Sequence, residues 1–313
     1  MRTYSVVVLS KNNGRTLGYT LLSILKAKDP PNMAKEIIVV DARSTDNTSR
    51  ILRMFSKWIK VVYDKGKGIG IARNIGVMRS HGDIICFVDA DAIVAQDHFL
   101  KVIEKIEEGY HVIDVQGVPP LNILKTWHSA PMLDHYVRFY GYYMRRAKDK
   151  SKSHEKKYFA NGCFISFKRE VFLNIKGFWH YPPFGADDTD FSFRAIKKGY
   201  KIGTVKIVGS YPIPRQSIKE LMKEQFLWGK GFAYFIAKFR RDQELIMIYR
   251  ISILKNPILS IPLRLLVELI MSLKLALLLR RFSIIPFWTV RRGSYLLGFL
   301  LFLRRAMKHF SKK

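Results

Sequence analysis

The N-terminal part of the chain alternates short, unbroken apolar runs with longer stretches whose apolar residues recur at helical spacing. The runs are Ser5-Val6-Val7-Val8-Leu9, Glu36-Ile37-Ile38-Val39-Val40 and Ile84-Ile85-Cys86-Phe87-Val88. None alternates apolar with polar residues, so each suits a parallel strand covered on both faces. Val61-Val62-Tyr63 predicts a further short strand, and Phe159 to Phe167 another. Thr16 to Lys28 carries Leu17, Leu21, Leu22, Ile24 and Leu25 and predicts a helix. Asn47 to Lys57, capped by Thr45 or Asp46, predicts a second, and Ile69 to Ser80 a third. Strands alternating with helices of this length form βαβ units with right-handed crossovers, hence an α/β fold around a mostly parallel sheet.

In an open sheet of this kind, ligands bind outside the carboxyl ends of the strands. Ser10 and Asn12 follow the first run, Asp41 and Ser44 the second, and Asp89 and Asp91 the third. Asp89-Ala90-Asp91 is the most pointed of these, because carboxylates at i and i+2 on an extended end project to the same side. That pair can chelate a hard divalent cation, which takes oxygen ligands and bridges to substrate phosphates. The first βα turn has no Gly-x-Gly-x-x-Gly, and Gly66-Lys67-Gly68-Ile69-Gly70 lacks the Lys-Ser/Thr ending of a phosphate-binding loop. A dinucleotide dehydrogenase and a P-loop NTPase are therefore excluded.

Five segments, in order, carry a family resemblance. They are Val6 to Asn12, Ile38 to Asp46, Ala72-Arg73-Asn74-Ile75-Gly76, Gly82 to Asp91, and Gly185-Ala186-Asp187-Asp188-Thr189-Asp190-Phe191. Together they resemble the motifs of family 2 glycosyltransferases with the GT-A fold, over roughly residues 4 to 235. The resemblance implies a nucleotide-diphosphate sugar donor, a divalent metal (Mn2+ or Mg2+), and inversion at the anomeric carbon. It implies that Asp41 contacts the nucleobase, and Asp89 the donor's ribose and pyrophosphate region. Asp91, with Asp89, would hold the metal, Arg73 would lie near the donor phosphates, and Asp188 would be the general base. Two departures stand out. Ala42-Arg43 replaces the usual second Asp-Gly, and Asp187-Asp188 replaces the usual Glu-Asp.

Residue by residue, Gly185 permits a turn and a helix is expected from about Asp188, with Phe191 and Ile196 toward the core. Acids at a helix start also favour the helix dipole, and closely packed acids raise one another's proton affinity, which suits a base. Met222 to Gly231 resembles the segment near the end of the family's catalytic domain. Gln225, Trp228 and Lys230 would close over pyrophosphate and acceptor alongside Asp187; a plain helix end with an aromatic packed on the core fits equally. Asn161-Gly162 is expected beside the acceptor.

The formal charge of +29 changes the picture, because such an excess implies an anionic partner, nucleic acid or membrane. No helix-turn-helix, zinc-finger or RNA-recognition signature is evident, so nucleic acid is not expected. Residues 145–157 form a basic block expected as a loop. Two cysteines and scattered histidines point to a reducing compartment, without disulfides or a zinc site. The chain enters its first strand at once, so no cleavable signal peptide is expected.

From Asn256 two long apolar stretches follow, Pro257 to Leu279 and Phe282 to Leu303. Arg264, Glu268 and Lys274 interrupt the first, Arg291 and Arg292 the second, and a central Arg or Lys costs about 2.5–3.5 kcal/mol on the insertion scale. On a helical wheel Leu266, Leu269, Leu273 and Leu277 lie opposite Ser260, Arg264, Glu268, Ser272 and Lys274. This favours helices lying in the membrane interface, with Arg280, Arg281, Arg304, Arg305, Lys308, Lys312 and Lys313 on anionic lipid. A spanning hairpin and a soluble helical subdomain are the alternatives.

The domains expected are a catalytic GT-A domain at 1–235 and a basic, apolar helical region at 236–313. The function expected is an inverting glycosyltransferase at the cytoplasmic face of the cell membrane, acting on a hydroxyl of a lipid-linked glycan or other membrane-surface acceptor. The alternatives are a polyprenyl-phosphate sugar synthase and a non-catalytic basic binding protein.

Overall fold

A computed structural model describes residues 2–126, 159–160, 162–179, 185–215, 217–245, 266, 269–270, 273, 276–277, 282 and 284–311. The basic block at 145–157 lies outside them, as do Arg264, Glu268, Lys274, Arg280 and Arg281. The chain divides into two units: one comprises 1–123, 149–183 and 187–213, the other 124–148, 184–186 and 214–313.

The first unit is built on a seven-stranded sheet. In chain order its strands are β1 (Arg2–Ser10), β2 (Met33–Asp41), β3 (Lys60–Tyr63), β4 (Ile84–Asp89), β6 (Val112–Val118), β7 (Ser166–Lys168) and β8 (Ile202–Val208). The spatial order is β3-β2-β1-β4-β7-β6-β8. The pairs β1–β2, β1–β4, β2–β3 and β6–β8 are parallel, whereas β7 runs antiparallel to both neighbours. A separate two-stranded ribbon pairs β5 (Ala92–Ile93) with β9 (Tyr211–Pro212).

The continuous Val/Ile runs are explained by burial on both faces. Val6 and Val8 of β1 face one core with Leu17, Leu21 and Ile24 of α1 (Leu17–Lys26) and Phe99, Val102 and Ile106 of α4 (His98–Glu107). Val7 faces the opposite core, with Ala72 and Val77 of α3 (Ile69–Met78), Val171 and Phe172 of α6 (Arg169–Asn174), and Phe191 and Ala195 of α7 (Asp187–Lys197). Two short helices, α2 (Thr48–Met54) and α5 (Leu121–Thr126), follow β2 and β6 in the chain. At Gly76 a Cβ would collide with Val7 and crowd Val40, so the absence of a side chain lets α3 lie directly on β1 and β2.

The expected strand from Phe159 to Phe167 is corrected: Gly162–Phe164 is a 3-10 turn and the strand is three residues, Ser166–Lys168. The turn is held by contacts from other elements, described below, which a local apolar run cannot reveal. Ile196 is half-buried rather than in the core; Phe191, Phe193 and Ala195 fill that position. The expected helix at 47–57 is shorter, ending at Met54.

Buried His98 belongs to this frame. Its Nδ1 lies 2.8 Å from Ser210 Oγ, and that oxygen accepts the Ala95 N–H at 2.9 Å. The ring packs edge-on to Phe99 and tilted against Phe164. Burial pushes its pKa down to about 3, so the folded state holds it neutral. The unfolded chain binds that proton near pH 6.5, so below this pH the unfolded state takes up more protons and stability falls toward pH 3. In thermal unfolding, His98→Gln should lack this contribution. The wild type should lose up to about 1.4 kcal/mol more per pH unit between pH 6 and 4, and equal slopes would remove His98 from the acid response.

Candidate active site

The parallel register brings the strand ends together. Ser10 of β1 sits opposite Asp41 of β2, Leu9 opposite Asp89 of β4, and Asp41 opposite Tyr63 of β3. Asp41 is 3% exposed and both its oxygens are engaged: the Ser44 N–H donates to Oδ2 at 2.9 Å and the Ser44 hydroxyl to Oδ1 at 2.6 Å. Ser44 Oγ in turn accepts the Asn12 N–H at 2.7 Å, and Asn12 Oδ1 accepts the Thr45 N–H at 2.8 Å. The loops after β1 and β2 are thus stitched to each other. Both pass through the left-handed region, at Asn12 (φ 55) and Arg43 (φ 53). Asn tolerates that conformation; a long side chain does so less readily, and strain of this kind concentrates at functional sites. The hydroxyl of Ser10 is buried and finds no hydrogen-bond partner among the described residues.

Asp64 was not singled out by sequence reasoning. It is buried, its N–H donates to Asp41 O at 3.0 Å, and its Oδ1 accepts the Gly66 N–H at 2.6 Å. Its signal was available, since it follows Val61-Val62-Tyr63 as Asp41 and Asp89 follow their strands.

A second cluster forms where α3, the 3-10 turn and α7 meet. Arg73 is 3% exposed. Its Nε lies 3.2 Å from Asp187 Oδ2 and its Nη2 donates to Gly162 O at 3.1 Å. The guanidinium lies 5.1 Å from the centroid of Phe87 and 5.2 Å from that of Phe178. Burial alone would lower its pKa, yet the charges of Asp187, Asp188 and Asp89 hold it above the ordinary value. Asp187 answers in the other direction. Burial pushes its carboxyl up, Arg73 pulls it back, and Asp188 and Asp190 push it up again, leaving it at about 6.

Asp188 is half-buried and fixed by its backbone partners. Its Oδ2 accepts the Gly162 N–H at 2.8 Å and its Oδ1 the Thr189 N–H at 2.7 Å. Positive φ at Gly185 (94) and Ala186 (63) turns the chain sharply before the helix. The helix then starts with three acids, Asp187, Asp188 and Asp190, in its first turn. Asp190 bonds Arg194 Nε at 2.6 Å, and Arg194 caps Ile175 O and Gly177 O.

Asp89 and Asp91 are both half-buried at the end of β4. The Cys163 thiol on the 3-10 turn hydrogen-bonds Asp89, and burial, then the charges of Asp89 and Asp91, push its pKa well up. Among the described residues no group of three or more His, Cys, Asp or Glu could hold a metal by itself. Two hard carboxylates at i and i+2 do suit an ion that completes its shell with water and substrate phosphate. The donor set therefore fits Mn2+ or Mg2+ held jointly with a donor. Cys86 is buried in β4 and pushed up to about 12, an inert core thiol.

Gln225, Trp228 and Lys230 lie in the second unit, on α8 (Ile218–Lys238). Gln225 is buried and its Nε2 has no hydrogen-bond partner among the described residues; Trp228 is half-buried. Lys230 Nζ sits 4.0 Å over the Phe302 ring, and burial and Arg305 lower its pKa. A cleft of about 390 Å3 beside β3, lined by Tyr63, Ile71, Ile75 and Arg79 among others, contains none of the predicted site residues.

Acids at the ends of parallel strands, a short antiparallel strand inserted beside β4, and an acid-led helix at the same sheet define a GT-A glycosyltransferase. Residues 5–175, more than half of the chain, match the model for glycosyl transferase family 2, and the chain belongs to that family. Over 218 residues it is 26% identical to glycosyltransferase AglE of Haloferax volcanii, covering 67% of this chain and 66% of the relative. Over 223 residues it is 23% identical to poly-beta-1,6-N-acetyl-D-glucosamine synthase of Staphylococcus aureus, covering 70% and 52%. The chain thus spans about half to two thirds of these relatives' lengths. Among solved structures, mannosyltransferase PcManGT of Pyrobaculum calidifontis, in complex with GDP-Man and Mn2+, superposes with a TM-score of 0.63. It is 19% identical, over 96% of this chain and 86% of that one. Residues 1–349 of S. aureus TarS superpose at 0.51 with 16% identity, over 100% and 92%.

Gly162 is the hinge of the second cluster. A Cβ there would come within 2.5 Å of Arg73 Nη2 and 2.8 Å of Asp188 Oδ2. Neither side chain can yield freely, since one is sandwiched between rings and the other held by two N–H groups. Gly162→Ala should lower unfolding stability by about 1–3 kcal/mol. Gly293→Ala, with nothing within 4 Å of its Cβ, should be neutral or stabilising. Urea titrations of both variants check this, and equal midpoints would show that the cluster adapts.

Proposed function

We propose that this glycosyltransferase moves a sugar, with inversion, from a nucleoside-diphosphate donor to a hydroxyl of a membrane-borne acceptor, at the cytoplasmic face of the cell membrane. One observation carries the reading: the strand-end acids Asp41, Asp89 and Asp91 lie at one end of the parallel sheet, and the 3-10 turn whose Cys163 meets Asp89 also holds Arg73 and Asp188 through Gly162. The GDP-Man and Mn2+ of the PcManGT complex support a donor and a metal of this kind.

In this reading Ser10, Asn12, Asp41 and Ser44 hold the nucleoside. The free, buried hydroxyl of Ser10 suits a ligand contact, and the Asp41–Ser44–Asn12 chain of hydrogen bonds keeps the pocket rigid before the donor arrives. Asp89 and Asp91 would hold the divalent ion, which when bound supplies Lewis-acid neutralisation of the departing diphosphate. Arg73 is too deeply buried to enclose the phosphates itself; it anchors the turn at Gly162 and adds positive potential beneath them. Asp187 is read as the acceptor side.

The acceptor oxygen bonds to the anomeric carbon as that carbon's bond to the phosphate oxygen breaks. The electron pair leaves with the nucleoside diphosphate, and the hydroxyl proton passes to Asp188. Two backbone N–H groups and the Thr189 hydroxyl orient the Asp188 carboxylate, and Oδ2, with one N–H donor among the described residues, keeps a lone pair for the proton, which is the pre-positioning a general base needs. A phosphate acceptor would have no proton to surrender, so a fixed carboxylate here favours a hydroxyl.

Asp91→Ala should abolish Mn2+-dependent stabilisation by nucleoside diphosphates in a thermal-shift assay while leaving the apo melting temperature nearly unchanged. A wild type whose nucleotide binding ignores metal would overturn the ligand assignment.

Asp188→Asn should keep donor binding and lose turnover by ~10²- to 10⁴-fold, the usual contribution of general base catalysis. A loss below about tenfold would remove Asp188 from that role.

A further inference from the structure

In the second unit, Leu266, Leu269, Ile270, Leu273 and Leu277 are all helical, and all are exposed, by 40–64%. Their spacing places them on one stripe of a helix about 100° wide. On α9 (Ile284–Ser311), Val290, Leu297 and Leu301 repeat by seven and four and are exposed by 44, 52 and 58%. Phe282, between the two stripes in sequence, is 66% exposed.

The exposed stripe of α9 is the outward face of a well-packed helix pair, not a sign of a loose one. The other side of α9 meets α8 so closely that a Cβ at Gly229 would collide with Tyr295, and one at Gly298 with Phe226. Phe226 packs on Phe302 and Phe232 on Phe299 across the same seam. Contiguous apolar surface that the fold leaves uncovered marks an interaction site.

The charge identifies the occupant. α9 contains no Asp or Glu, and its exposed stripe runs on into Arg304 and Lys308, with Arg305 alongside, all exposed. A second copy would set these cations against themselves in a chain already at +29. A lipid surface meets both halves of the stripe, with acyl chains for the leucines and anionic headgroups for the Arg and Lys. Among the described residues no helix is long and apolar enough to cross a membrane. Within α9, Arg291 is buried, and Arg291 and Arg292 both lie 5.2 Å from the Trp288 ring.

We propose that the two stripes form a membrane-docking surface by which the second unit lies in one leaflet of an anionic bilayer. The leucines enter the headgroup boundary and Arg304, Arg305 and Lys308 bind lipid phosphates. This deepens the membrane-borne acceptor reading, but its test uses no turnover.

Full-length protein is sedimented with vesicles of phosphatidylcholine, alone or mixed with phosphatidylglycerol, at low and high salt. Binding should require the anionic lipid and weaken, without vanishing, at high salt. Leu297→Ser with Leu301→Ser should cut the salt-resistant part by at least about tenfold. Arg304→Gln with Arg305→Gln and Lys308→Gln should remove the salt-sensitive part. Metal-dependent nucleotide stabilisation, measured on the same samples, should survive in both variants, so that loss of docking and failure of the donor-site reading are told apart. Three results would overturn the proposal: unchanged vesicle binding in both variants; wild-type protein that ignores vesicles and is monodisperse without detergent; or a leucine variant that turns a dimer into a monomer by light scattering with lipid binding intact.

Discussion

A guanidinium buried beneath the site is the contact on which the rest of this structure depends. Arg73 leaves water almost completely, and such a charge is tolerable when paired and hydrogen-bonded. Its partners come from distant parts of the chain: Asp187 at the head of α7, Gly162 on the 3-10 turn, and the rings of Phe87 and Phe178. Removing either member of the pair would strand the other, a change that typically costs about 3–5 kcal/mol. The same contacts aim chemistry. The peptide of Gly162 whose oxygen accepts from Arg73 belongs to the residue whose N–H holds Asp188. The residue after it, Cys163, meets Asp89. One buried cation therefore sets the spacing between the acids after β4 and those that begin α7.

Around that anchor the sheet gathers the remaining groups without needing a dedicated binding loop. Parallel pairing of β1 with β2 and β4 makes three strand ends neighbours, and the loops after β1 and β2 are locked by Asn12, Asp41 and Ser44. The left-handed backbone at Asn12 and Arg43 marks where the chain is forced away from its preferred conformations to achieve this. At Arg43 the family pattern would have glycine. The buried hydroxyl of Ser10, without a hydrogen-bond partner among the described residues, fits a site preformed for a polar ligand.

The second unit follows a different logic. Its helices meet backbone to backbone at Gly229 and Gly298, so the seam is tight and the outer faces are left apolar. Lys230, whose cation looked available for phosphate, is instead turned over Phe302. A cation–π contact of that kind is worth about 0.5–2 kcal/mol and holds the side chain within its own unit.

Much of this was legible without a structure, for identifiable reasons. Unbroken Val/Ile runs mark doubly covered parallel strands, and polar residues directly after them must lie at one end of the sheet. Ser10, Asn12, Asp41, Ser44, Asp89 and Asp91 were therefore placed by pattern alone, and Asp64 could have been by the same rule. The leucine stripe at 266–277 was legible too, because helical spacing fixes which residues share a face. Tertiary structure decided what depends on partners far apart in sequence. It broke the expected strand from Phe159 to Phe167 into a turn and a three-residue strand. It joined Arg73 to Asp187, and it raised the proton affinity of Asp187 through burial. It also put the two stripes on the outside. Periodicity reports which side chains lie together on one element, whereas burial and pairing depend on what the rest of the chain brings against that element, and only the folded chain contains that.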